Sequence, residues 1–242
     1  MLEFASSDRA GIDRRLSDSM TQPDSLHYLG VRDAIAARIA GGELKPGERL
    51  PSERQLQLEA EGVIYRKDRS GWYVSPPPVV YDPTRWEGFM SYVEAQGRRP
   101  TTETLSKTEI ACTPVLAPIF GRPVGAPMYR IRRRRSVDGR AVLVETIVVD
   151  AAMAPDLLSH PLDGSLTSVL KSAYNIAVAR NRVDMQPCAL TRGEAEALQV
   201  KSGLPGLNVV RTSYDAQGRV VEFDREYWRH DALKISVDIR VR

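Results

Sequence analysis

Five long segments of this chain are read as alternating with a period of two: Met128–Ser136, Ala141–Val149, Asn208–Tyr214, Val220–Trp228 and Leu233–Val241. That period places alternate side chains on opposite faces of an extended backbone, so each stretch is predicted to be a strand with one covered face. The last alternates most cleanly, with Ile235, Val237, Ile239 and Val241 on one side. The dipeptide Asp138-Gly139 between the first two is a hairpin turn signal. Helices are few. Trp86–Gln96 reads as one, ended by Gly97; Ser165 caps a second over Leu166–Ala173; Thr191 with Glu194 opens a third through Val200. Strands in hairpin succession with scattered helices predict an antiparallel α+β domain rather than a doubly wound parallel sheet.

Ahead of this region the chain is less regular. Residues 1–25 are polar, without an apolar period, and read as a disordered arm. From Leu26 a helical pattern carries Val31, Ile35 and Ile39 at i+4, and Gly41-Gly42 stops it. Ser52 with Gln55 signals a helix over Glu53–Glu61, and Gly62 fits the left-handed position behind it. Val63–Tyr65 and Trp72–Val74 flank a polar turn and form a short hairpin. Pro76-Pro77-Pro78 marks a stiff linker. The predicted organisation is therefore an arm (1–25), a helical and hairpin unit (26–75), a linker (76–85) and the α+β domain (86–242).

Composition excludes more than it assigns. A formal net charge of +3 is weak support for a nucleic-acid partner. There is no eighteen-residue apolar run and no apolar stretch behind the N-terminus, so a cytoplasmic location is expected. Cys112 and Cys188 lie far apart and read as two reduced thiols. His27, His160 and His230 are equally scattered. No metal site, phosphate-cradling glycine loop or cofactor is expected.

Two neighbouring passages carry a resemblance. Residues 44–56, LKPGERLPSERQL, resemble the entry to the second helix of a GntR-family repressor, and residues 57–75, QLEAEGVIYRKDRSGWYVS, resemble the end of that family's recognition helix and its wing. In the family, roughly sixteen residues that enter the DNA major groove lie between them. Here Leu56 runs directly into Gln57. Further on, Tyr129 to Gly139 with Glu145, Asp163-Gly164-Ser165-Leu166, and Val221 to Asp231 are similar to the UTRA effector domain of the HutC-like branch. The resemblance implies an incomplete winged helix-turn-helix followed by an antiparallel-sheet, chorismate-lyase-like domain. It also implies a homodimer that binds a small anionic effector, and a regulator rather than an enzyme. The passages at Gly71, Tyr81 and Tyr227 look most like regulators of phosphonate utilisation, which implies an aminoalkylphosphonate.

Arg132 to Arg135 lie in a strand, so two guanidinium groups point to each face. Glu145 sits among Leu143, Ile147 and Val149, where a carboxylate is costly to bury unless paired. A two-residue loop at Asp138-Gly139 sets Arg132 and Arg134 beside it; a three-residue loop with a bulge brings Arg133 and Arg135 instead. The resemblance selects Arg133 and Arg135 as ligand-binding arginines, with Glu145 as the ligand-binding carboxylate. It adds Ser165, Arg180 and Trp228, the last standing where sugar-phosphate-binding members carry a tyrosine. For DNA it implies Arg49, Ser52 and Arg54, with Arg66, Lys67 and Arg69 at the wing tip. These are backbone-type contacts, which hold a protein on DNA without reading its sequence. A stand-alone effector-binding dimer is the alternative, and a chorismate-lyase-like enzyme a distant third.

Overall fold

The computed structural model describes residues 37–50, 61–67, 71–85 and 87–239. The arm, most of the helix expected from Leu26, the helix expected over Glu53–Glu61, and Ser52, Arg54, Arg69, Trp86 and Val241 lie outside them. The chain divides into two compact units, Met1–Lys45 and Pro46–Arg242. In the first, residues 37–40 are helical, and the amide of Gly41 donates to the Ala37 carbonyl where the glycine pair was expected to stop the helix.

The second unit begins with β1 (Arg49–Leu50), β2 (Ile64–Lys67) and β3 (Gly71–Val74), which form a three-stranded sheet in the order β1-β3-β2. This is the expected wing hairpin plus one short strand: Arg49 pairs with Tyr73, Arg66 with Trp72 and Lys67 with Gly71. Then follow β4 (Val79–Tyr81), helix α1 (Phe89–Glu94), β5 (Pro100–Ala111), the short helix α2 (Ala117–Phe120), β6 (Pro127–Val137) and β7 (Arg140–Asp150). Helix α3 (Leu166–Tyr174), β8 (Arg180–Ala189), helix α4 (Arg192–Leu198), β9 (Pro205–Tyr214), β10 (Val220–Arg229) and β11 (Leu233–Ile235) complete it. Six strands form one antiparallel sheet in the order β5-β6-β7-β10-β9-β8. The α+β fold is the one expected.

Two of the six strands, β5 and β8, were not foreseen, and they are the two edges of the sheet. One correction concerns the C-terminal end. Only Leu233–Ile235 of the expected Leu233–Val241 strand forms a ladder, and it is parallel, to β4. Beyond it Val237 is 39% and Ile239 77% exposed, so the clean alternation there does not mark a covered face.

Helices cover both faces of the sheet. On one face Ile131, Ile147 and Val149 pack beneath Leu166 and Leu170 of α3, while Leu143, Val209 and Trp228 pack beneath Phe89 and Val93 of α1. Between these two apolar clusters the same face is polar. On the other face Val144 lies under Ala195 and Leu198 of α4, and Met128 and Val148 under Leu116 beside α2.

The wing is seated on the end of this sheet. Tyr65 of β2 lies beneath two cations, with the Arg140 guanidinium 4.4 Å and that of Arg229 5.7 Å from its ring centre. Both arginines pair with buried Asp231, Arg229 through two hydrogen bonds of 3.1 Å, and Ser75 Oγ donates to the same carboxylate. Burial pushes the Asp231 carboxyl up, but Arg229 and Arg140 outweigh it and hold it below the usual range. Arg140 is itself lowered to about 10, by burial and then by the Arg229 charge, against the pull of Asp231.

Gly62 makes this approach possible. At φ +76° a side chain is strained, and a Cβ there would stand 2.8 Å from Asp231 Cβ. Gly139 has a similar φ of +78° but open space around it. Gly62→Ala is therefore expected to lower the thermal midpoint more than Gly139→Ala. The latter should lose only the left-handed strain of about 1–2 kcal/mol, worth a few degrees in a chain of this size. Equal losses in thermal unfolding would contradict the seating of Gly62 against Asp231.

Candidate functional site

The hairpin of β6 and β7 decides which arginines meet Glu145. Its turn is the two-residue kind: Val137 pairs with Arg140, and Asp138 and Gly139 have φ of +53° and +78°. A bulge between Arg135 and Ser136 then shifts the ladder by one residue, so Arg135 faces Leu143 and Arg133 faces Glu145 directly. Neither simple register holds alone; a tight turn is combined with a displaced bulge. Arg132 and Arg134 point the other way and dock α4, donating to the carbonyls of Gly193 and Ala197.

Arg133 and Arg135 each donate Nε–H to one oxygen, Glu145 Oε1, at 2.5 and 2.9 Å. All three residues are buried. Burial pushes the Glu145 carboxyl up, yet the two guanidinium groups outweigh it and keep it below the ordinary range. Arg133 also donates from Nη1 to the carbonyls of Leu162 and Gly164, both at 3.1 Å, and so fixes the loop that enters α3. Arg135 donates from Nη1 to Thr102 and lies 4.9 Å from the Phe89 ring centre. Among the described residues no hydrogen bond engages Nη2 of either arginine.

These residues floor a cavity of about 290 Å³ between α1 and the start of α3. Ser165, the helix N-cap, lies on its wall and accepts from the Ser168 amide at 3.2 Å; Thr167 and Lys171 line the same side. A helix N-terminus with a lysine one turn on favours anions. Phe89 supplies the apolar wall. Trp228 stands behind it rather than on the cavity surface, 6.1 Å from the Phe89 ring centre, with its indole N–H donating to Glu226. Arg180 is not gathered with the others: it is exposed on the edge strand β8, stacked 3.8 Å over Tyr214.

The floor holds more charge than the sequence reading named. Glu222, Asp224 and Glu226 of β10 and Arg211 of β9 also line it. Glu226 lies directly opposite Glu145 in the ladder, an unfavourable like-charge pair. It is neutralised by Arg211, at 3.0 Å. Ser213 Oγ donates to Glu222. The signal was available: Glu222, Asp224 and Glu226 recur at period two in a strand whose same face ends in Trp228. Among the described residues no cluster suits a metal ion, and no helix is long and apolar enough to cross a membrane.

A family model described as the UTRA domain matches residues 95–234. Among curated proteins, the chain is similar to the uncharacterized HTH-type transcriptional regulator YihL of Escherichia coli K12. The two are 27% identical, with 86% of this chain and 96% of that protein covered. That comparison runs over 226 residues, whereas 86% of 242 is about 208; roughly eighteen positions of the relative thus lack a counterpart within the aligned span. The HTH-type transcriptional repressor NagR of Bacillus subtilis is 24% identical, over 84% of this chain and 90% of its own length. In fold the chain is similar to the crystal structure of PhnF from Mycobacterium smegmatis, with a TM-score of 0.67 at 22% identity, covering 86% of this chain and 99% of that one. These relatives are regulators and not enzymes. Their likeness and the family match place this chain in the UTRA-domain family, as a transcriptional regulator of the GntR/HutC type.

Proposed function

We propose that this chain is a ligand-responsive GntR/HutC regulator whose cavity takes a small organic phosphonate or phosphate, and whose sequence-specific DNA binding is impaired. One observation carries the ligand half. Two buried arginines, aligned by one shared carboxylate, face the first turn of α3 across a small cavity, and their Nη2 groups have no hydrogen-bond partner among the described residues. Guanidinium forks and a helix N-terminus suit a tetrahedral oxyanion. Arg133, Arg135 and Ser165 hold the anion and Glu145 positions both arginines. Lys171 adds charge at the rim, and Trp228 backs the Phe89 wall. Arg180 stands apart on the sheet edge. Resemblance to phosphonate-utilisation regulators favours a phosphonate over a sugar phosphate, and a 290 Å³ cavity supports a ligand of that size. Residues 86–242 serve as the effector domain of a cytoplasmic homodimer, joined to the winged segment 26–75 through residues 76–85, of which Val79–Tyr81 is itself held against β11 as β4.

The DNA half rests on the direct passage from Leu56 to Gln57. The shortfall of roughly eighteen positions against the Escherichia coli relative matches the size of the segment absent there. Arg49, Arg66 and Lys67 stay on the wing strands, and with Ser52, Arg54 and Arg69 they offer phosphate contacts alone. A stand-alone effector-binding dimer is the reading that the same absence favours if no operator is ever bound.

Calorimetry with n-propylphosphonate tests the pocket. Arg133→Ala should weaken binding by about tenfold to a hundredfold, since one charged hydrogen bond contributes about 1.5–3 kcal/mol. Because Arg133 is buried, Lys171→Ala, on an exposed helix position, gives a second measure, and a several-fold loss is expected there. Affinities untouched by both changes would overturn the anion site. On DNA, dissociation constants of roughly 10⁻⁴–10⁻⁶ M at physiological salt are expected, with no sequence preference. A footprint on one site at nanomolar protein would contradict this.

A further inference from the structure

The cavity floor is not balanced in charge. On the strands that form it stand four carboxylates (Glu145, Glu222, Asp224 and Glu226) against three arginines, Arg133, Arg135 and Arg211, while Glu87 and Lys171 add one charge of each sign at the cavity's sides. Glu145 has two guanidinium partners, Glu226 has Arg211 and the Trp228 indole, and Glu222 accepts from Ser213. Asp224 has none of these. It is 5% exposed, and its Oδ1 is buried without a hydrogen-bond partner among the described residues. A buried carboxylate oxygen left unpaired costs free energy that folding alone has no reason to accept. In the ladder Asp224 stands opposite Ile147 on one side and Arg211 on the other, one step along β10 from the Glu145–Glu226 row. It therefore lies across the floor from Arg133, two strands away, or about 10 Å between backbones.

We propose that Asp224 is the cation-recognising residue of this pocket, and that the ligand is a zwitterion whose ammonium group lies on Asp224 while its anionic end lies on Arg133 and Arg135. This rests on the anion site proposed above and adds the second charge of the ligand. Glu145 is the less suitable partner for an ammonium, because two adjacent guanidinium groups already neutralise it and would repel a third cation. At Asp224 the balance is reversed. Burial, followed by the negative charges of Glu145, Glu226 and Glu222, pushes its carboxyl well above the usual range, with Arg211 opposing. An ammonium supplied by a ligand relieves that burden and gives the orphaned oxygen a donor. Size selects a short spacer: the two ends must fit within about 290 Å³.

The test compares 2-aminoethylphosphonate with n-propylphosphonate, in which a methyl group replaces the ammonium, by calorimetry on the full chain. The wild-type protein should favour the amine by about tenfold or more, and Asp224→Asn should bring the ratio of the two affinities close to one. Glu145→Gln should weaken both ligands, with the ratio kept. Because the first comparison changes only the ligand, it holds even if a variant folds poorly. Equal affinity for both phosphonates in the wild type, or a preference that survives Asp224→Asn, overturns the cation site and leaves the anion site standing. Absence of binding by both overturns the anion site and this proposal with it.

Discussion

The buried pairing of Arg133 and Arg135 with Glu145 is the constraint around which this sheet face is arranged. Bringing three charges into an apolar setting is tolerated only where each finds partners, and removal of one leaves the others stranded at a cost of about 3–5 kcal/mol. Here one carboxylate oxygen serves both guanidinium groups. Arg133 spends its remaining Nη1 hydrogens on the carbonyls of Leu162 and Gly164. The ion cluster thereby ties the register of β6 against β7 to the loop that enters α3. The start of α3 is the wall that faces the two arginines. The anion-suited geometry is thus a consequence of satisfying buried charge, not an addition to a finished core.

How much of this could be read from the sequence depends on what each pattern reports. The strands and their hairpin turn were legible, but the single covered face expected of them was not found in β7, where Ile147 and Val149 are buried on one side and Val144 and Val148 on the other. The helix cap at Ser165 was legible too, since a serine oxygen bonds an amide three residues on. Strands β5 and β8 were not. They are edges with few apolar residues, Leu105 and Ile110 in β5 and Val183 and Met185 in β8, which pack against the core clusters but are too sparse to show a period, while backbone ladders tie the strands to β6 and β9. The opposite error occurred at Leu233–Val241. Alternation there is real, but a strand also needs a neighbour, and β4 offers three residues.

The site shows the same division. Arginine and glutamate types were visible, and Arg133 and Arg135, the pair that the resemblance named, are the two that face Glu145. The turn alone could not have named them, because its two-residue form selects Arg132 and Arg134 until the bulge beside Ser136 reverses the phase. A bulge depends on how the sheet must coil against its neighbours, which no local pattern records. Asp224 and Arg211 were missed for a related reason. Their meaning is a matter of charge balance across three strands, and it emerges only when β7, β10 and β9 are laid side by side.

That side-by-side arrangement also joins the cavity to the wing. β7 starts at Arg140 and carries Glu145 five residues on; β10 carries Asp224 and Glu226 and ends at Arg229, two residues before Asp231. The two strands that supply the cavity's carboxylates therefore also supply the arginines that cover Tyr65. Close packing gives such a pair little freedom to slide independently. A shift of β10 against β7 that disturbed the Glu145–Glu226 row would also move Asp231 relative to Arg140. The cavity floor and the seat of the wing thus share two adjacent strands.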